Sequence, residues 1–229
     1  VVKIDLTTFT KVATLTFDAG ENNVIDLAVS GDYLYAGLST DPGKVRKIDL
    51  TTFTKVATLT FDADESYVRA LAVSGNYLYA GIFTDPGKVV KIDLTTFTKV
   101  TTLTFDTGEA ADHADALAVS GGYLYAGLDT HPCKVVKIDL TTFTKVATLT
   151  FDTGEDHTDT LAVSGDYLYA GLPVGDPGKV VKVALSTFTK VATLTFDVGE
   201  INTEKLAVSG DYLYAGFVTG PGKVVKVNI

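Results

Sequence analysis

The chain contains no Met and no Trp, and Cys133 is its one cysteine. An internal disulfide is therefore excluded, and stability has to come from packing. Not even position 1 is Met, which reads as a processed or trimmed product. Apolar runs are only a few residues long, too short for a transmembrane helix. Basic clusters are absent and the net charge is −9, which argues against nucleic acid and against anionic membrane surfaces. Enzyme signatures are missing too. No Ser sits in a G-x-S-x-G elbow, and neither H-E-x-x-H nor a phosphate-binding glycine motif occurs. The reading is of a protein with no catalytic activity. A channel-mouth pair such as Asp115 with Asp159 is the one arrangement that acid–base chemistry would have to use. Composition does not shift along the 229 residues, so no linker is marked and a single domain is expected.

What the chain does have is repetition. VVKIDLTTFTKVATLTFD opens it and returns, slightly varied, from Val45, Val89, Val135 and Val180, with a partial sixth copy, VVKVNI, from Val224. The spacings are 44, 44, 46, 45 and 44 residues. Periods in the forties fit propeller blades or helical HEAT and armadillo repeats, and helical periodicity is lacking. Each repeat instead holds four short segments, such as LAVS, YLYAGL, KVVKIDL and KVATLTF, rich in Val, Ile, Thr, Tyr and Phe. Turn signals (SGDY, DPGK and a Gly-containing acidic stretch) separate them. Apolar groups lie on both faces of the strands, as sheets covered on both sides require. The spacing predicts an all-β, five-bladed β-propeller of four-stranded antiparallel blades.

The run from Leu27 to Phe61, LAVSGDYLYAGLSTDPGKVRKIDLTTFTKVATLTF, resembles the YVTN-type, WD40-like propeller repeat of microbial surface proteins. The likeness extends over all five repeats, although LYAGL stands where the name-giving motif would be. It implies that LAVS is the innermost strand and KVATLTF the outermost. It also implies an extracellular or cell-surface location. Blades then cover residues 27–61, 71–105, 117–151, 161–196 and 206–229. The last lacks an outer strand, which Lys11–Phe17 is expected to supply, closing the ring and removing its open edges. Val1–Leu6 is left over. It is expected as an extra edge strand, as a route to strand-mediated association of an otherwise monomeric protein, or as the remnant of a longer parent array.

The repeats differ on one face. Strand polarity puts the acidic and DPGK loops on a top face and the SGDY and DLTTFT turns on a bottom face. Bottom turns are near copies, while AGENNVID, ADESYVRA, TGEAADHADA, TGEDHTDT and VGEINTEK diverge at the top. Of 28 acids, 21 lie in the top loops against seven bases. Repeat proteins vary this way on a binding face, and also by drift in unconstrained loops. Such a field suits a cation or a basic protein or peptide. The alternative is a solvated rim that opposes self-association.

Two residues before each inner strand stand Ile25, Arg69, Asp115, Asp159 and Glu204. A propeller directs these to the mouth of its channel, so Arg69, Asp115, Asp159 and Glu204 are the candidate ligand-binding residues. His113, His131, Cys133 and His157 are candidate metal ligands by donor chemistry, with Asp112 nearby, but their spacing matches no metal motif. D-x-G-E loops such as Asp106–Glu109 and Asp152–Glu155 offer hard oxygen ligands, too few per loop for calcium unless neighbours cooperate. No cofactor is otherwise indicated. The five bottom-turn Phe and the paired Tyr read as packing between blades. Fivefold Tyr identity also fits a multivalent glycan-binding propeller, and near-identical strands fit a structural or engineered repeat protein with no ligand.

Overall fold

A computed structural model describes residues 1–106 and 113–229. Among these there are 21 β-strands and no helix. An N-terminal hairpin pairs β1 (Val2–Asp5) with β2 (Thr10–Thr14). The first blade is β3 (Val24–Ser30), β4 (Tyr33–Leu38), β5 (Lys44–Asp49) and β6 (Thr54–Thr60). The second is β7 (Val68–Ser74), β8 (Tyr77–Ile82), β9 (Lys88–Asp93) and β10 (Thr98–Thr104). The third is β11 (Ala114–Ser120), β12 (Tyr123–Leu128), β13 (Lys134–Asp139) and β14 (Thr144–Thr150). The fourth is β15 (Thr160–Ser164), β16 (Tyr167–Leu172), β17 (Lys179–Ala184) and β18 (Thr189–Thr195). The last blade has three strands, β19 (Thr203–Ser209), β20 (Tyr212–Phe217) and β21 (Lys223–Asn228). Every blade is an antiparallel meander in chain order, and consecutive inner strands lie side by side. The architecture is a five-bladed propeller.

The second strand of each blade is the core. Leu78, Tyr79, Ala80 and Ile82 of β8 are buried, as are their counterparts in β4, β12 and β16. A glycine in that strand receives the next blade. A methyl group on Gly37 would lie 2.5 Å from Val68 Cγ1, and one on Gly127 would lie 2.6 Å from Thr158 Cγ2. Only glycine allows this approach. Above it, the Phe that ends each outer strand plugs the following blade. Phe61 packs with Leu78, Ala80 and Ile82, and Phe105 with Leu124, Ala126 and Leu128. Below it, bottom-turn Phe97, Phe143 and Phe188 reach back to Tyr35, Tyr79 and Tyr125, with ring centroids 5.7–5.9 Å apart.

A third fastening uses charge. The carboxylate of Glu65 is buried. It accepts bonds from Thr102 Oγ1 at 2.5 Å and Lys99 Nζ at 2.9 Å on the second blade's outer strand. It also accepts from the Asp62 N–H of its own loop. Glu155 repeats the pattern with Lys190, Thr193 and the Asp152 N–H, and Glu21 uses Thr58 and Arg46. The D-x-G-E carboxylates are therefore fasteners between blades, with their lone pairs committed. Of the D-x-G-E pairs singled out for calcium, Asp152–Glu155 is engaged in this way; Glu109 and Asp112 lie outside the described residues. Lys55, Lys99, Lys145 and Lys190, placed by sequence on the bottom turns, reach Asp18, Asp62, Asp106 and Asp152 of the acidic loops. The acidity of the top is thereby partly neutralised.

Ring closure differs from expectation. Lys11–Phe17 does not join the last blade. Its strand pairs with β1, and β21 ends its sheet as an edge. The hairpin closes through a four-residue turn, a far smaller loop-closure cost than pairing across the whole chain. Once formed, it lays Val1, Leu15 and Phe17 on Leu34, Ala36, Leu38 and Ile48, taking the place of an outer half-blade before β3. The seam beside it stays unsealed. Val24 and Leu27 are 38% and 46% exposed, whereas the matching Val68 and Leu71 are 0% and 7%.

Candidate functional site

The five channel positions do converge. Ile25, Arg69, Asp115, Asp159 and Glu204 line one cavity of about 320 Å³ at the top of the channel, together with Asp129 and Lys205. A register shift at the start of β3, β7, β11 and β19 explains their aim. Each shift leaves one residue, namely Ile25, Arg69, Asp115 or Glu204, without a partner on the second strand. Such bulges redirect side chains. Just below, Asp26, Ala70, Ala116, Thr160 and Lys205 enter the adjoining cavity. Sequence reasoning missed Asp26 and Lys205 because it counted one inward residue per blade, where a bulge presents two. It missed Asp129 because that residue belongs to the other top loop.

Charges in the cavity are unevenly matched. Arg69 Nε lies 3.5 Å from Asp115 Oδ1, and its guanidinium rests over the Phe83 ring at 4.6 Å. Burial, reinforced by the like charges of Asp115 and Glu204, pushes the Asp159 carboxyl up to about 6. Lys205 and Arg69 oppose that rise without cancelling it. Asp26 is spoken for, accepting the N–H groups of Leu27 and Leu71 at 2.9 and 2.7 Å.

The four metal candidates do not share one site. His113 and His157 approach a common carboxylate. His113 Nδ1 is 3.4 Å from Asp129 Oδ2, and His157 Nδ1 touches Asp129 Oδ1. His131 projects outward with its side chain 62% exposed, 3.5 Å from Asp156 and edge-on to the His157 ring. Cys133 is not available as a ligand there. It replaces the glycine of the DPGK turn, is fully buried in the core shared by the third and fourth blades, and contacts Thr158. Burial pushes its thiol up to about 12, far from the thiolate that metal binding needs.

Tyr35, Tyr79, Tyr125 and Tyr169 are buried. Their neighbours Tyr33, Tyr77, Tyr123, Tyr167 and Tyr212 lie under lysine ammonium groups at 3.5–4.1 Å. The first set is thus committed to packing, whereas Tyr167 and Tyr212 of the second remain 36% and 38% exposed beside their lysines.

An all-β arrangement of five antiparallel blades around a polar channel defines the class as a β-propeller. More particularly, the LVIVD repeat model matches this chain five times, at residues 22–40, 66–85, 111–130, 156–174 and 202–220. The chain is a five-bladed propeller of LVIVD repeats. Each match begins just after the glutamate of an acidic loop and covers the end of that loop, the inner hairpin and the start of the next top loop. No curated protein matches the sequence. Among solved structures, one titled as the mitotic checkpoint complex shares 17% identity with a TM-score of 0.77, over 100% of this chain and 68% of that one. Hydrazine synthase of Kuenenia stuttgartiensis shares 14% identity with a TM-score of 0.75, over 95% and 68%. The WD40 repeats of RRP9 share 16% with a TM-score of 0.67, over 84% and 57%. At such identities the likeness is one of fold, a fold that serves mostly for binding or scaffolding and hosts enzymes as well.

Proposed function

We propose that this protein is a non-catalytic binding module whose channel mouth receives a cationic group from a basic protein or peptide. One observation carries the reading. Asp115, Asp129, Asp159 and Glu204 share a single cavity with, among the described residues, two cations, and Arg69, one of the two, is turned toward Asp115. A lysine or arginine side chain entering there relieves repulsion among carboxylates that are already desolvated, which gives specificity as well as attraction. Divergent top loops around an otherwise copied scaffold support the same face. A location outside the cell or on its surface accompanies this proposal, from the repeat resemblance alone.

A hexalysine peptide is a suitable probe. Exchanging Asp159 and Glu204 together for Lys is expected to weaken its binding by about tenfold or more at low salt. Exchanging Asp32, Asp166 and Asp211 on the bottom turns for Lys changes net charge further yet should weaken it much less. Equal losses in the two variants would reduce the effect to net charge and overturn the proposal.

A further inference from the structure

The chain can be compared with itself at the four positions that surround Asp129. In the third blade they are His113, Asp115 and Asp129, completed by His157 from the fourth. The matching sets, in the same order, are Asn23, Ile25, Ser39 and Tyr67 around the first blade, and Tyr67, Arg69, Phe83 and His113 around the second. Around the fourth they are His157, Asp159, Pro173 and Asn202. Only one sector fills all four places with imidazoles and carboxylates, in a protein whose strands are otherwise near copies.

The geometry brings these donors together. His113 Nδ1 lies 3.4 Å from Asp129 Oδ2 and 3.9 Å from Asp115 Oδ2, and His157 Nδ1 meets the other oxygen of Asp129. One donor atom each from His113, Asp115 and Asp129 falls within a 4.8 Å sphere of mutual distances. Four ligands about 2.0–2.1 Å from a tetrahedral ion stand roughly 3.3 Å apart, so these three need only a small contraction, and His157, already seated on Asp129, has to swing in as the fourth. All four side chains are shielded, with 12–23% exposure. Asp115 and Asp129 nevertheless face the open cavity, which provides a route of entry. The His113 ring is held flat against Phe83, with centroids 3.3 Å apart and planes 11° from parallel. Two neutral imidazoles and two carboxylates balance the charge of a divalent ion, and nitrogen donors favour the zinc class over calcium.

We infer that His113, His157, Asp129 and Asp115 form a binding site for one divalent transition-metal ion of the zinc class. The site shares Asp115 and Asp129 with the proposed peptide cavity, but its core is the histidine pair, which the peptide reading does not use. His131 and Cys133 have no part in it.

The test uses the full chain stripped with a chelator and titrated calorimetrically with zinc chloride alone. One site per chain is expected. Its affinity should fall at least tenfold in Asp129→Asn and in His157→Ala, and should be unchanged in His131→Ala and Glu204→Gln. Zinc at about 100 times its dissociation constant should raise the melting temperature of the wild type and not of Asp129→Asn, since a ligand stabilises only the state that binds it. Melting in chelator checks that the variants fold. If one does not, His113→Gln and the d–d absorption of the cobalt-loaded wild type take its place. Absence of zinc uptake by the wild type overturns the inference. So does binding that survives at Asp129→Asn or is lost at Glu204→Gln. Hexalysine binding measured in chelator is read separately, so either proposal fails on its own result.

Discussion

Four joints between blades and one seam are made from the same repeat, yet they are finished differently. At each internal joint a glycine and a Phe plug fasten one blade to its neighbour, joined at two of them by a buried glutamate, Glu65 or Glu155. At the seam the same residues face solvent. Gly216 has only Lys205 O, of its own blade, within 4 Å, and Val224 is 72% exposed where Val89 and Val135 are fully buried. Glu200 accepts a bond from its own loop, the Asp197 N–H, but the last blade has no fourth strand to supply the Lys and Thr. Cohesion therefore belongs to the pair of neighbours, as in other repeat proteins, where stability resides in units plus interfaces. A sequence motif alone does not confer it.

The largest contrast is expected at the bottom-turn Phe. Phe143 is buried against Tyr79, and Phe143→Ala should cost about 3 kcal/mol or more in urea denaturation. Phe9 is 81% exposed, and Phe9→Ala should stay within about 0.5 kcal/mol. The glycines come next. An added methyl at Gly81 collides with the backbone carbonyl of Ala114, a cost of about 1–3 kcal/mol. Gly216→Ala should cost a few tenths at most. Equal losses at the two glycines would show that the seam shuts in solution, with Val24 seated on Gly216, and would erase the comparison. For the carboxylates, Glu65→Ala strands Thr102, leaves Lys99 with Asp62 alone and is expected to lose about 1–3 kcal/mol. Glu200→Ala should be nearly silent by the same assay.

The smallest effect concerns pH. Burial alone would lower the Lys99 ammonium, but its bonds to Asp62 and Glu65 outweigh that and hold it above its ordinary 10.5. A group raised on folding stabilises fully below its unfolded value and loses that contribution as pH climbs through the folded one. The wild-type melting temperature should thus be flat toward pH 10 and fall beyond it, and Lys99→Met should blunt the fall.

Much of this was legible in the sequence. The repeat of about 44 residues, its four apolar segments and its turn signals imply the blades, because strand formation and local meander pairing depend on short-range pattern. The convergence of Ile25, Arg69, Asp115, Asp159 and Glu204 was legible too, since fivefold topology carries one column of residues to one axis. Partnerships between loops were not. Cys133 and His131 offer donors of the same kind as His113 and His157, but the first turns into the core and the second into solvent. Asp129, which collects both useful histidines, reads as an ordinary turn residue. The fate of the acidic loops was likewise hidden, because Glu65 meets Lys99 and Thr102 only after two blades have packed.

By itself, then, the sequence determined the number of blades and the face on which they differ, both consequences of local periodicity repeated five times, while the order of the strands was implied by the resemblance to a known repeat. The tertiary structure alone decided which carboxylates are fasteners and which are open, which histidines meet, and that Lys11–Phe17 prefers its own hairpin to the distant last blade. Those outcomes depend on competition among contacts far apart in the chain, where loop-closure entropy and the geometry of burial choose between partners of the same chemical type.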